Sequence, residues 1–463
     1  MIVPAKLFRR LTDFSMIMVT GLMLGPASSV LAQPAANSPK GSLIIPASSE
    51  RQKVPPGHKF IAHTNVRIFV PDGLNPEEAP PFGGYAYETP ASIACHYGLI
   101  ANELGLAPDC NPNATTVDTT GGSWRIAIVD AYDDPRAAAD LATFSAQFGL
   151  PLTSTKFSVV QATTSAASCK TVPVDQTGGW ELEEALDIEW SHAMAPNATI
   201  FLVEACSNTD TDLQQAVLVA NNLVKCAKSQ IDGTTRALGT CPAGAIGKGE
   251  VSMSWGGGEF SSETVSDNCA TFNDSCFREP QVVYFASSGD SPGVEYPSAS
   301  PNVVAAGGTT VRRNQFTGDW IAEAPWVSGG GGSSVYEGRP AFQATVSSVV
   351  GAARGVPDLA FDSDPFTGVW IYDSFPVYGT QYYDWTVIGG TSVASPALAG
   401  IVNKAGAFAA SSQAELATIY ANAATANFRD LKSGFCGFYM GYSGTTGWDF
   451  CTGVGVVNGY KGK

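Results

Sequence analysis

Basic residues are in short supply. Lys and Arg number 26 against 42 Asp and Glu, leaving a formal net charge of -16 over 463 residues, which argues against nucleic acid or an anionic membrane as a partner. No run of like charge reaches tail length and no internal repeat is visible, so neither a charged tail nor a solenoid is expected. Apolar runs long enough to span a bilayer are missing. Cys-x-x-Cys pairs are missing too, which makes a zinc site a poor expectation. Histidine is restricted to four positions, His58, His63, His96 and His192, so imidazole chemistry has few places to happen.

What is present is enough apolar material, at 44%, for a large core. Residues 1–32 read as a secretion signal: Lys6, Arg9 and Arg10 precede the apolar stretch Phe14 to Leu24, and Val30-Leu31-Ala32 offers small residues for cleavage. The mature protein is therefore expected to be extracellular or periplasmic, soluble and free of the membrane. Ten cysteines fall into neighbouring couples that suit an oxidising compartment: Cys95 with Cys110, Cys169 with Cys206, Cys226 with Cys241, Cys269 with Cys276, Cys436 with Cys451. Residues 33–86 are rich in Pro, Ala and Ser and read as a linker or short propeptide, with one strand-like run at Val66–Val70. From residue 87 to 463 strand and helix patterns alternate. Strands are expected at Arg125–Val129, Thr199–Val203, Val251–Trp255, Val282–Ala286, Val303–Ala306 and Trp385–Ile388. Helices are expected at Pro135–Phe148, from about Gly179, and over Asp212–Lys228. Such alternation means a mostly parallel sheet with helices on both faces, whose sites gather at the carboxyl ends of its strands.

Gly389-Gly390-Thr391-Ser392-Val393-Ala394-Ser395-Pro396 joins a predicted strand to an apolar helix. A serine there has its hydroxyl at the positive end of a helix, beside free N–H groups able to hold an oxyanion. Pro396 is expected in the first turn, where its missing N–H costs little. Gly-Thr-Ser-x-x-x-Pro resembles the nucleophile motif of subtilisin-like peptidases, but no histidine lies in the His-Gly-Thr context of a subtilisin base. Carboxylates are the better source of a base. Glu183 and Asp187 stand at i,i+4 on the helix after Gly179 and share a face. Like charges so placed disfavour double ionisation.

Taken with Ala195-Pro196-Asn197-Ala198, Ser287-Ser288-Gly289-Asp290-Ser291 and Gly390-Thr391-Ser392, these residues resemble the sedolisin, or serine-carboxyl peptidase, family from about Tyr87 to Gly459. The resemblance implies a subtilisin-like doubly wound α/β fold. It implies Ser392 as nucleophile, Glu183 as general base and then acid, Asp187 as its proton-sharing partner, and Asp290 as a neutral acid donating to the oxyanion. Ser254, Trp255 and Gly256 resemble the family's substrate-lining edge. Arg429-Asp430-Leu431 and Thr445-Thr446-Gly447-Trp448-Asp449 resemble its calcium site, with Ca2+ held by the Asp430 and Asp449 side chains and the carbonyls of Leu431, Thr445 and Gly447; hard oxygen donors suit that ion. One departure stands out: the stretch before Tyr87 is only about 50 residues, too short for a propeptide with its own core. Asp130, ending a strand, reads as structural or as a support to the site. The expected function is that of a secreted, monomeric, acid-acting endopeptidase on polypeptides. The alternatives are a neutral serine hydrolase using His192 and a non-catalytic secreted binding protein on the same fold.

Overall fold

Strands apolar on both sides must be covered on both sides, and that requirement organises the chain. The computed structural model describes residues 39–73, 79–80, 87–100, 110–163, 167–226, 247–263, 276–377, 384–438 and 441–463. The expected signal, residues 1–32, lies outside them. The chain forms β1 (Gly41–Ile44), β2 (His63–Thr64), β3 (Arg67–Pro71) and α1 (Pro90–His96), the helix opened by a Thr89/Ser92 capping box. Next come β4 (Arg125–Ala131), α2 (Ala137–Phe148), β5 (Phe157–Gln161), α3 (Gly179–Met194), β6 (Thr199–Ala205), α4 (Asp210–Lys225) and β7 (Gly249–Met253). Then follow β8 (Trp255–Gly258), β9 (Val282–Ser287), β10 (Glu295–Tyr296), β11 (Val304–Arg313), β12 (Trp320–Pro325), β13 (Gly332–Gly338) and β14 (Ala353–Val356). The last elements are β15 (Leu359–Asp362), β16 (Val369–Asp373), β17 (Asp384–Gly389), α5 (Thr391–Ala405), α6 (Ser412–Asn422), β18 (Phe428–Arg429) and β19 (Val456–Val457).

The main sheet runs β5-β6-β4-β7-β9-β11-β15-β19-β18, with β12 also on β11. Its ladders are parallel except β11–β12 and β18–β19. Alternation within each strand feeds two cores. Ile126, Ile128, Ile200 and Leu202 face α2, α3 and α5, whereas Ala127, Val129, Phe201 and Val203 face α4. Gly400 lets α5 press close to α3, since a Cβ there would sit 2.7 Å from Met194 Cβ and 2.9 Å from the Ser191 carbonyl oxygen. Every residue of α3 is consequently buried, its acids included. The strand order reverses around β4, with β6 on one side and β7 on the other, and a reversal opens a crevice at the carboxyl ends.

The strand that leads to Ser392 is not part of this sheet. β17 lies in a smaller antiparallel sheet, β1-β3-β17-β16, and a third antiparallel set joins β10, β8 and β2. Residues 39–71 thus supply three strands, with Val66, Ile68 and Phe69 buried in the larger core, and they fall within one compact unit spanning Pro39–Lys463. Three expected disulfides are present, Cys95–Cys110, Cys169–Cys206 and Cys436–Cys451. Cys226 and Cys276 are disulfide-bonded as well; Cys241 and Cys269 lie outside the described residues.

Candidate active site

Gly390, with φ 113° and ψ 160°, turns the chain from β17 into α5 and offers no capping side chain. The first N–H groups of α5 are satisfied by other elements: Thr391 N–H donates to Asp290 Oδ1 at 2.8 Å and Ser392 N–H to the Asn65 carbonyl at 3.1 Å. Because these partners cap it, the helix starts at Thr391, and Pro396 is its sixth residue rather than part of its first turn as the sequence reading has it. Pro396 then cannot bond the Ser392 carbonyl four residues back. The Ser254 hydroxyl lies 3.2 Å from that carbonyl oxygen and donates to Asp187 Oδ1 at 2.7 Å. Proline's missing donor is thereby turned into a link between Ser392 and α3.

Ser392 is fully buried. Its hydroxyl donates to the Ser254 carbonyl at 3.1 Å and accepts from Asn65 N–H at 3.1 Å. Glu183 lies close enough for the Ser392 hydroxyl to favour its charged form, yet neither Glu183 oxygen has a hydrogen-bond partner in good geometry. Burial first, then the Asp130 carboxylate, pushes Glu183 well above the ordinary carboxylate range, and Asp290 adds to the effect. Asp187 is raised by burial, Asp130 and Glu183 in turn. Asp130 itself is pushed up to about 8 by burial, and both its oxygens lack a hydrogen-bond partner. The acid that ends β4 is thus a third member of the Glu183–Asp187 group. The sequence carried a signal for it, a carboxylate closing the apolar run Ile126–Val129.

Asp290 follows β9. Its Oδ1 accepts from the Thr391 N–H and hydroxyl, while Oδ2 has no hydrogen-bond partner and stands 3.6 Å from Arg67 Nε. Burial raises it to about 7 against the opposing pull of Arg67 and Thr391. Arg67 and Asn65 are components that sequence reasoning did not single out, and Thr391, read there as part of the Gly-Thr-Ser motif, proves to hold Asp290. Of the expected substrate edge, Ser254 supports Asp187 as described. The Trp255 indole turns away from Ser392 and donates to the Val129 carbonyl at 2.7 Å. The Trp255 and Gly256 backbones pair with β2, Thr64 opposite Trp255 and His63 opposite Gly256.

No family model matches the chain. It is 28% identical over 306 residues to Sedolisin of Pseudomonas sp. (strain 101), covering 61% of this chain and 48% of that protein. To Kumamolisin of Bacillus sp. (strain MN-32) it is 28% identical over 314 residues, covering 62% of this chain and 51% of the other. The solved structure of Pseudomonas sedolisin, a serine-carboxyl proteinase complexed with two molecules of pseudo-iodotyrostatin, matches with a TM-score of 0.55 and 26% identity over 72% of this chain and 90% of that one. These matches support a relationship to the sedolisin family. The chain spans about half the length of the curated relatives just named.

His192 stands apart from Glu183 and Ser392. It lies nine residues beyond Glu183 on α3, roughly 13 Å along the helix axis. Burial, with help from Lys156, pushes it down to about 4, so its imidazole stays neutral. His96 is held at 3.0 Å from Glu323, a packing role. The expected sedolisin calcium loop brings its two acids to one turn: Asp430 Oδ2 accepts from Gly447 N–H at 2.8 Å and Asp449 Oδ2 from Thr445 N–H at 2.9 Å. Asp430 Oδ1 is buried there without a hydrogen-bond partner. No group of three or more acidic, histidine or cysteine side chains suited to a metal occurs among the described residues. An ion would therefore depend on these two carboxylates and on backbone carbonyls, all hard oxygen donors that fit Ca2+.

Proposed function

We propose that the protein is a secreted serine-carboxyl endopeptidase that works in acid, with Ser392 as nucleophile and Glu183 as general base. The observation that carries this reading is the meeting of a serine hydroxyl at a helix N-terminus with buried acids from two separate elements, Glu183 and Asp187 on α3 and Asp290 after β9. In molecules where Glu183 is ionised while Asp187 and Asp130 hold their protons, the hydroxyl turns from the Ser254 carbonyl to Glu183 and attacks the substrate carbonyl as Glu183 takes its proton. Asp187, fixed by Ser254, shares the proton load, and Asp130 discourages ionisation of both. The oxyanion is held by Ser392 N–H and by Asp290, which donates only while protonated. Glu183 returns its proton to the leaving amine, and water then releases the acyl group from Ser392 by the same route.

Calcium held by Asp430, Asp449 and the carbonyls of Leu431, Thr445 and Gly447 would supply cross-bracing of the C-terminal turns rather than chemistry at the scissile bond. The disulfides support an oxidising compartment. Among the described residues no helix is long and apolar enough to cross a membrane. The test is digestion of unfolded protein across about pH 3 to 8, with the products sequenced. Activity should peak on the acid side and fall as Asp290 loses its proton near its raised value of about 7. An optimum on the alkaline side would overturn the roles given to Glu183 and Asp290.

A further inference from the structure

Asn65 covers Ser392, but the surface next to it is open and apolar. Just past Asp290 the chain is exposed at Pro292 and Gly293, and Gly293 bridges to Gly331 at the start of β13. Residues 434–438 and 441–443 lie against this corner. A Cβ on Gly437 would stand 3.8 Å from Pro292 Cβ, and one on Gly332 would stand 3.3 Å from the Tyr442 hydroxyl and 3.4 Å from Val294 Cγ2. Phe438 N–H donates to the Val327 carbonyl at 3.1 Å. Farther along β13 the Ser334 hydroxyl and the Val335 N–H donate to Glu259, the residue after β8. One rim thus runs from the Asp290 loop to the end of β8, and Phe435, Phe438, Tyr442, Val335 and Tyr336 stand on it, each exposed over 39% to 77% of its surface.

Single exposed apolar side chains are ordinary, whereas several together beside a crevice mark a binding surface. Phe438 supplies a second observation. Its φ of 51° lies in the left-handed region, which bulky side chains rarely adopt, and 43% of its surface remains exposed. A turn needed only for the fold would be better served there by Gly or Asn. Below the rings the loop is fixed: Cys436 and Cys451 are buried and bridged, and Cys436 N–H donates to the Tyr442 carbonyl at 3.0 Å. The aromatic side chains are therefore held outward by a braced loop, in a backbone conformation that their presence makes less favourable.

Resting on the peptidase reading above, we propose that this rim is an exosite that holds apolar side chains of an unfolded polypeptide substrate away from the bond being cut. The rim adjoins both walls of the crevice, β8 through Glu259 and Asp290 through Pro292, so a polypeptide longer than the crevice meets it. Unfolded chains present the Leu, Phe and Tyr side chains that folded proteins hide. Exposed rings cover such groups with little demand on sequence, because the attraction is mostly area removed from water.

The test uses the full chain carrying Phe435→Ser and Phe438→Asn together, the second chosen because Asn suits a left-handed backbone, so the melting temperature should hold. Reduced, carboxymethylated lactalbumin is titrated onto the Ser392→Ala chain and followed by fluorescence anisotropy. Binding is expected even with Asn65 in place, since the rim lies outside the covered crevice, and the double substitution should weaken it by about tenfold. Absent binding, or binding that the substitutions leave unchanged, overturns the exosite whatever the catalytic result. With Ser392 intact, the double substitution should raise KM for the same protein by about tenfold at constant kcat and leave hydrolysis of a tetrapeptide as it was. Equal losses on both substrates would make the loop a support for the crevice and overturn the proposal. So would a concentration-dependent dimer dispersed by the same substitutions, which would give the rim to a second copy of the chain. A chain inert on every polypeptide, whose Ser392→Ala form still binds lactalbumin through these rings, would sink the peptidase reading alone.

Discussion

Glu323 is as deeply buried as Glu183, but His96 at 3.0 Å and the guanidinium of Arg429 flank it, and these cations outweigh its burial and hold it down at about 2. Glu183 has the carboxyls of Asp130 and Asp290 as interacting neighbours, and burial drives it far the other way. The same side chain, withdrawn from water in one molecule, becomes a fixed anion in one place and an acid that holds its proton far more tightly in another. What differs is the supply of cations. Glu295 follows the first pattern, with burial opposed by His63 and Arg51 and its value lowered overall. Glu184 follows the second, raised by burial and by Glu204. The ion-paired acids join separate elements, Glu323 of β12 to His96 of α1 and Arg429 of β18, whereas Glu183 and Asp187 stand unpaired by any cation within α3.

Exchanging charge at either kind of site should give opposite results. Glu183→Gln removes the proton acceptor from the site without stranding a cation, so peptidase activity should drop by about a thousandfold or more while the fold survives. Ser392→Ala should be at least as damaging. Rates on a peptide substrate, read beside circular dichroism, decide this, and a Gln variant with full activity would hand the base role to another group. Glu323→Gln should do the reverse, stranding His96 beside a half-exposed Arg429 and costing about 2 kcal/mol of stability in a urea titration. A neutral result there would mean that the pair is fully rehydrated when broken.

Stability should also follow pH with a defined sign. Asp290 at about 7, Asp130 at about 8 and Glu181 at about 9 keep protons in the folded state that the unfolded chain releases above about pH 4. Their contribution is complete below that point and drains away as pH rises through those values. Glu323 acts oppositely: its contribution is present above about pH 4 and is lost as pH falls towards 2. Thermal melts should therefore give the highest Tm in mild acid and a lower one at pH 8; a Tm that climbs steadily to pH 8 would contradict the protonated state assigned to Asp290, Asp130 and Glu181. The smallest expected effect is that of a calcium chelator, a Tm loss of a few degrees if Asp430 and Asp449 hold the ion. An unchanged Tm with no metal found by elemental analysis would remove it.

Local spacing made part of the site legible. The i,i+4 placement of Glu183 and Asp187 is a property of one helix, and the strand-turn-helix around Ser392 is a property of adjacent residues. The role of Asn65 was not legible, because it rests on contacts 327 residues apart in sequence with Ser392 and 222 with Ser287. A short β-branched run such as Trp385–Ile388 likewise says nothing about which sheet receives it. β11 runs past its expected end at Ala306 to Arg313, through Gly307 and Gly308. In the fold they stay extended where a Cβ would strike Pro357 at 2.5 Å and Trp326 at 2.9 Å, so close packing requires glycine there. The burial of Ser392 was not foreseen either, since a sequence does not tell whether its own leading segment fills a crevice.

The ladder between β1 and β3 reaches beyond architecture. Gly41 through Ile44 pair with Pro71 through Ile68, on the far side of the Asn65–Val66 bond, and Ile61 bridges to Thr209. The segment over Ser392 is therefore pinned on both sides of Asn65, by β2 on β8 upstream and by the β1–β3–β17 ladder downstream. Uncovering Ser392 means peeling strands from two sheets rather than lifting one loop.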